Sequence, residues 1–402
     1  MQKEIYFDNS ATTKISEKAL EKYVSVSREI YGNPSSLHGL GFMAEGELNS
    51  VRKTIIKSLG ATGSTVVFTA SGSEANNLAI IGRALSKDRY RNGGKIITTS
   101  GEHASVSEPL NSLEKMGFRI AYIPTKDGKL DIDALESELT KDVILVTMMM
   151  VNNETGALYD TLSVSKLMKQ RCPEAVLHVD ATQSYMKMPF TKASIGADMI
   201  TISSHKIEGP KGVGALVIDK EIMKKRGITP LVLGGGQENG LRSGTENVPA
   251  VAAFGEAIEI AMAELRQRYS ATSSLRDYLI EKIEGDSELS DISITKPQRH
   301  APHILNITLP MIKSETMLHF LSSYGIYVSS GSACSSNSHH VSSALVSFGR
   351  SAEEADSSIR ISFSHRNTKE EIDRFIEVLK IGLSKISRKR IDLSRNKVHQ
   401  ME

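Results

Sequence analysis

Cysteine is scarce in this chain: only Cys172 and Cys334 occur in 402 residues, and they lie far apart. That excludes a disulfide framework and a zinc site built on paired cysteines, and it fits a reducing compartment such as the cytoplasm. Net charge is scarce as well, since 49 basic side chains stand against 47 acidic ones for a formal charge of +2. Such a balance creates no bulk field to hold nucleic acid or an anionic membrane surface, which leaves small molecules and proteins as the expected partners. Long apolar runs are missing too. No stretch approaches the roughly 20 apolar residues of a membrane span, and Met1 to Phe7 is broken by Lys3 and Glu4 where a secretory signal is apolar. The chain therefore reads as soluble and unprocessed, with no internal repeat and no long low-complexity tract.

What is present points to two lobes, since 402 residues with 40% hydrophobic content exceed a usual single domain. From about residue 16 to 220, short apolar runs alternate with amphipathic stretches, the order of a mostly parallel sheet covered on both faces. The expected strands are Thr65–Phe68, Lys95–Thr99, Arg119–Ile123, Val143–Met150, Ala175–Val179, Met199–Ser203 and Ala215–Ile218. The expected helices between them include Ser73–Leu85, Ser105–Met116, Ile132–Leu139 and Leu162–Arg171. The alternation stops at Gly234, Gly235 and Gly236, where a turn leads through Pro249 into a long helical pattern, and the lobe boundary is placed there. Beyond it, strands near Ile304–Thr308, Ile326–Val328 and Ile359–Phe363 and helices near Glu315–Leu321 and Glu370–Ile386 describe a smaller α+β lobe. The basic stretch Ser387–Glu402 is expected to fray or to dock a partner.

Five short tracts carry chemistry. Lys206 follows Ser203, Ser204 and His205 at the end of an expected strand and precedes Gly209 and Pro210. Ligands bind at that edge of open α/β sheets, and a lysine there can form a Schiff base with an aldehyde cofactor, although a lysine alone can equally be solvated surface charge. Asp180 ends another apolar run, and a buried carboxylate needs a positive partner such as a protonated pyridine nitrogen, with Gln183 near enough in sequence to reach the ring's phenolic oxygen. Asp180 could instead cap a following helix. Ser71, Gly72 and Ser73 open a helix whose free N–H groups suit a phosphate, with Ser203 and His205 joining Ser73, or the serines are plain N-caps. His103 sits on a loop after Lys95–Thr99, where an imidazole can cover a planar ring and move protons, or simply lie exposed. Cys334 lies in Ser329–Ser338, a tract so small and polar that it should form a mobile loop able to carry a thiol to a substrate, unless the thiol is incidental. Cys172 is the bland counterpart at a helix end.

Taken together these residues resemble a known family: the fold-type I, class V aminotransferase superfamily, and within it the cysteine desulfurases of the NifS/IscS type. The resemblance runs along nearly the whole chain, through YFDNSATT (Tyr6–Thr13), GNPS (Gly32–Ser35), Glu102–His103, VNNETG (Val151–Gly156), HVDATQS (His178–Ser184), HKIEGPKGVG (His205–Gly214), GGGQENGLRSGT (Gly234–Thr245), SSGSAC (Ser329–Cys334) and SSIR (Ser357–Arg360). It implies an α/β fold with a large pyridoxal-phosphate (PLP) domain at 15–250, and a smaller domain from 251–402 with the segment 1–14.

By the same resemblance, Lys206 is the cofactor lysine, Asp180 the pyridinium partner, Gln183 the phenolic-oxygen donor and His103 the stacking acid/base. Ser73, Ser203 and His205 hold the phosphate, and Thr245 reaches the phosphate of the other subunit, which implies a homodimer with composite sites. Arg360 clamps the substrate carboxylate with Asn33 and Asn153 assisting, a task that suits the guanidinium fork. Cys334 receives the sulfur of L-cysteine as a persulfide, for delivery to acceptor proteins such as an iron–sulfur scaffold or a tRNA-thiolation enzyme, and the chain itself binds neither nucleic acid nor membrane. A selenocysteine lyase or an aminotransferase on the same fold is the alternative. The sequence departs from the family pattern at Ala70–Ser73, at Ser204, where many relatives have a smaller residue, and at Ser364–Arg366, which replace a glycine-containing turn.

Overall fold

The computed structural model describes residues 4–86, 94–310, 312–330 and 341–398, with side chains as far as residue 386. Its centre is a seven-stranded sheet made of β2 (Thr65–Thr69), β3 (Lys95–Thr99), β4 (Arg119–Ile123), β5 (Val143–Met149), β6 (Val176–Asp180), β7 (Met199–Ser203) and β8 (Gly214–Ile218), in the order β2-β8-β7-β6-β5-β3-β4. The strands from β7 to β4 run parallel, while β8 lies antiparallel to both β7 and β2. Residues of β5 to β8 are buried throughout, as expected for strands covered on both faces. Two apolar cores flank the sheet. Val66, Ile200, Ile202, Ala215 and Val217 pack into one apolar core, and Val67, Met199, Leu216 and Ile218 into another on the opposite face.

The predicted strands of this sheet are displaced by at most one residue at either end. The helices fall into place for local reasons. Ser71 caps Gly72–Ala84 by accepting from Glu74 N, His103 caps Ala104–Lys115, and Asn247 with Pro249 in the first turn starts the 37-residue helix Val248–Glu284. That helix serves two cores. Val251, Phe254 and Ile258 pack under the large sheet, while Leu275, Leu279 and Ile283 belong to a third cluster. Two helices that the sequence reading did not mark, Glu17–Glu29 and Gly39–Leu59, pack against the same long helix.

The third core fills a smaller unit. There β12 (Ser329–Ser330), β13 (Ser358–Ser362), β10 (Ile304–Thr308) and β9 (Ser293–Thr295) form an antiparallel sheet in that order, and the parallel pair β1 (Ile5–Tyr6) and β11 (Ile326–Tyr327) lies beside it. Phe7 is its anchor, wholly buried with its ring edge-on to Phe363 at 5.6 Å and Phe375 at 6.0 Å. From Phe7 the chain crosses to the large sheet, where Thr13 N donates to the carbonyl of His205.

Two expectations need correction. The tract expected to be a loop from Ser329 begins as strand β12, because the backbone of Ser329–Ser330 pairs with Arg360 and Ile359 of β13. The basic stretch expected to fray after residue 386 continues the last helix, Lys369–Val398, because lysine, arginine and leucine are strong helix formers whatever their charge. Among the described residues no helix is long and apolar enough to cross a membrane. Replacing Phe7 with alanine removes two aromatic edges and leaves a cavity, so the thermal midpoint is expected to fall by the equivalent of about 3–5 kcal/mol; calorimetry showing an unchanged midpoint would refute the anchoring role.

Candidate active site

The carboxyl ends of β5, β6 and β7 open into a cavity of about 500 Å3 whose walls include Met149, Asp180 and Ser203, the last residues of those strands. This is the edge at which parallel sheets bind ligands. Of the residues singled out in the sequence, Ser73, His103, Asn153, Asp180, Gln183, Ser203, His205, Lys206 and Arg360 all line it. Asn33 and Thr245 do not: both are exposed, Asn33 Oδ1 accepts from Ser35 N at 2.9 Å, and Thr245 lies on the loop before Asn247. Cys334 lies outside the described residues, while Ser329, which opens its tract, stands on the cavity wall.

Lys206 ends a single 3-10 turn that follows β7, and its Nζ donates to the carbonyls of Ser10 at 2.6 Å and Ala11 at 2.7 Å. Asp180 is 7% exposed and makes no ion pair among the described residues. Its Oδ1 accepts from Thr182 N and its Oδ2 from Asn76 Nδ2, both at 2.8 Å, so it closes a tight turn and caps no helix. His178, two residues back on the same strand, lies between the hydroxyls of Thr147 and Thr201, and burial holds its ring down at about 4, so this imidazole supplies no charge. A carboxylate held this way suits a protonated ring nitrogen.

At the opposite wall Arg360 arrives from β13. Its Nη1 donates to Asn153 O at 2.8 Å, its Nη2 pairs with Asp8 at 3.0 Å, and its buried Nε has no partner among the described residues. Between these ends sits His103, whose Nδ1 meets both the hydroxyl and the backbone N–H of Ser105. Burial first, then the charges of Lys206 and Arg360, push its ring below the usual range against an upward pull from Asp180. His205 is held down to about 4 by burial and by Lys206, Lys187 and Lys211, with Nδ1 against Thr12 Oγ1.

The floor between Ser73 and Ser203 fits a phosphate. Ser71 takes the capping role, which leaves Ser73 in the first turn of Gly72–Ala84, and Ser203 Oγ is buried without a partner among the described residues. Gly72 keeps the approach close: a Cβ would come within 3.2 Å of Ser203 Cβ and 3.3 Å of Thr182 Oγ1, so these side chains would have to give way slightly. Free N–H groups and a helix of this length favour an anion. The hydroxyl of Ser204 is accommodated because Gly209 opposite lacks a Cβ, which would lie 2.1 Å away. The residues present thus match PLP point by point: an amine for its aldehyde, a carboxylate for its ring nitrogen, an amide at Gln183 and a hydroxyl-lined helix start for its phosphate.

Sequence reasoning missed several contributors. Asp8, Ser10 and Ala11 lie in the quoted Tyr6–Thr13 motif, but only the fold shows that their carboxylate and carbonyls hold Arg360 and Lys206. Lys187 donates to Gln183 Oε1 at 3.2 Å, and Gln183 Nε2 donates to Ser10 O at 3.0 Å. Burial, then the charges of Lys206 and Arg360, hold Lys187 well below its ordinary value.

A fold of this kind, with a lysine, an aspartate and an arginine meeting at one sheet edge, defines a PLP-dependent enzyme. The chain belongs to the class V aminotransferase family, whose model matches residues 5–375. It is 38% identical to a protein from Archaeoglobus fulgidus named cysteine desulfurase IscS 1, over 93% of this chain and 95% of that protein. Among solved structures it resembles a NifS-like protein at 35% identity and a TM-score of 0.87, covering 95% of this chain and all of that one. A second structure, SspA in complex with cysteine, is 30% identical with a TM-score of 0.78, covering 90% of this chain and all of the other.

Glu102 gives the site a pH signature. Burial raises its carboxyl from 4.5 to about 8, with a smaller push from Asp180, against hydrogen bonds from Thr99 Oγ1 and Met149 N. The native state then holds a proton that the unfolded chain gives up, so this contribution to stability is full below about 4.5 and lost as pH rises through about 8. Melting curves from pH 5 to pH 9 are expected to fall more steeply for the wild type than for Glu102→Gln, by on the order of a few kcal/mol across the range; parallel curves would contradict the assignment.

Proposed function

We propose that the chain is a cysteine desulfurase that takes sulfur from L-cysteine, releases L-alanine and carries the sulfur as a persulfide on Cys334. The observation that carries this reading is the meeting of Lys206, Asp180, His103 and Arg360 on one cavity whose wall includes Ser329, the first residue of the SSGSAC tract. The tract's far side is tethered nearby, since Ser342 Oγ donates to Glu154 Oε2 at 2.5 Å beside Asn153. Cys334 stands four residues along the chain from Ser330, the end of β12, and at ~3.4 Å per extended residue the chain allows a reach of at most about 14 Å from there.

PLP, when bound, supplies the aldehyde that captures the substrate amine and the ring that takes up electrons from the α-carbon. The protein supplies the rest. Arg360 holds the substrate carboxylate with its guanidinium fork, and Asn153, whose carbonyl already holds that fork, assists. Lys206, freed by the incoming amine, accepts the α-proton. The thiolate of Cys334 attacks the substrate sulfur: the S–S bond forms as the C–S bond breaks, the electron pair passes to the substrate carbon skeleton, and protonation there yields alanine. His103 beside Lys206 is the group placed to move the accompanying protons.

The same reading makes the enzyme a homodimer in the cytoplasm, serving acceptor proteins of the iron–sulfur scaffold or tRNA-thiolation type. Exposed apolar side chains flank the two predicted residues that stay outside the cavity: Leu37 is 90% exposed near Asn33, and Leu233 is 80% exposed on the loop that leads to Thr245. Their burial against a second copy would carry Thr245 into that copy's phosphate site.

Two experiments test this. Incubated with L-cysteine and a reductant, the wild type is expected to form alanine and sulfide in equal amounts, and Cys334→Ser to lose persulfide and sulfide by at least a hundredfold while keeping its visible absorbance. Undiminished sulfide release from Cys334→Ser, or keto acid in place of alanine, would overturn the reading. For the composite site, mixing inactive Lys206→Ala with weakened Thr245→Ala subunits and allowing exchange is expected to restore activity, because half of the sites in mixed dimers then carry neither change. No gain on mixing would place Thr245 in its own subunit's site or outside both.

A further inference from the structure

We infer that Ser105 and Asn76 are positioning residues that lock the neutral ring of His103 with its proton on Nε2. The order of hydrogens follows from one end of a short chain of contacts. A carboxylate only accepts, so the Asn76 atom 2.8 Å from Asp180 Oδ2 is the amide nitrogen. That nitrogen spends its second hydrogen on Ser105 Oγ, also at 2.8 Å. The hydroxyl, receiving a bond there, directs its own hydrogen to His103 Nδ1 at 2.8 Å. The backbone N–H of Ser105 donates to the same ring nitrogen at 3.1 Å, as it must where His103 caps the helix Ala104–Lys115. With two donors converging on Nδ1, that atom is the acceptor and Nε2 carries the proton.

Two further observations fit this direction. Asn76 Oδ1 is buried without a partner among the described residues, which is the cost of turning the amide's nitrogen toward the carboxylate; the reverse orientation would set two oxygens against each other. His103 Nε2 makes no hydrogen bond among the described residues, although the residue lines the cavity, so the protonated edge is the one left for a bound molecule. The charged groups that act on the ring are Asp180 from β6, Lys206 from the turn after β7 and Arg360 from β13. Asp180 favours a charged ring and the other two, with burial, oppose it, and the contacts from Ser105 add to that opposition because they bind only the neutral form.

His103 therefore presents Nε2–H to the cavity as a hydrogen-bond donor while uncharged. This bears on the proposed desulfurase reading only through what His103 does there, and the test does not depend on turnover. In holoenzyme labelled with 15N in the histidine rings, with His103 assigned by its loss in His103→Gln, the wild type at pH 8 is expected to show an unprotonated Nδ1 and a protonated Nε2. Its titration midpoint is expected below 6.5, to rise by about one pH unit in Ser105→Ala, and to return in Ser105→Thr. Asn76→Ala, which frees the hydroxyl to turn, is expected to raise the midpoint by a smaller amount. A wild-type ring protonated on Nδ1, or a midpoint unmoved in Ser105→Ala, would overturn the inference. Failure of the desulfurase reading would show separately, as absence of alanine from cysteine.

Discussion

The buried carboxylate of Asp180 is the constraint around which the rest is arranged. It stands at the end of a strand buried along its length, touches an amide and a backbone N–H, and meets no cation among the described residues. Burying a charge in such a place is costly unless something positive comes to it. The protein keeps its own candidate neutral: His178 lies between two threonines and is held at about 4 by burial. In the proposed reading the positive partner is the cofactor ring, which the carboxylate would in turn keep charged and able to draw electrons.

The remaining pieces are placed by two lobes that share one helix and one strap. The large sheet brings Asp180, Ser203 and the Lys206 turn together at its edge, and the small sheet reaches across with Arg360. The strap is the segment after Phe7, which is rooted in the small core and lends Asp8 to Arg360 and the Ser10 and Ala11 carbonyls to Lys206. Two ends of one cavity are therefore tied to a single short run of chain. A change in the packing of Phe7 would be felt at both the amine and the guanidinium.

The parts legible in the sequence are those with local causes. Buried parallel strands read as apolar runs between turn residues, and Lys206 and Asp180 stand out because each follows such a run. The serines at 71 and 73 are both visible in the sequence and both line the cavity, but which of them caps the helix depends on where it starts. What stayed hidden depends on distant chain segments. Asp8 and Arg360 are paired across 352 positions, and the carbonyls of Ser10 and Ala11 have no side-chain signature at all. The Lys187 to Gln183 bond joins residues four apart in a turn, yet nothing in the sequence shows it joining the Lys206 neighbourhood through Ser10. Ser329–Ser330 looked like loop because small polar residues are poor strand formers, and pairing with β13 overrode that preference. The stretch after residue 386 reads as a fraying end because chain termini usually fray, although its residues favour helix.

The dependence on Asp180 is tested most directly by separating its charge from its shape. Asp180→Ala is loaded either with PLP or with PLP methylated on the ring nitrogen, whose positive charge needs no partner, and alanine formation from L-cysteine is measured for both. The account predicts that the PLP form is slower than wild type by at least a thousandfold and that the methylated form recovers a clear part of the loss. Wild-type turnover by Asp180→Ala with ordinary PLP would contradict it.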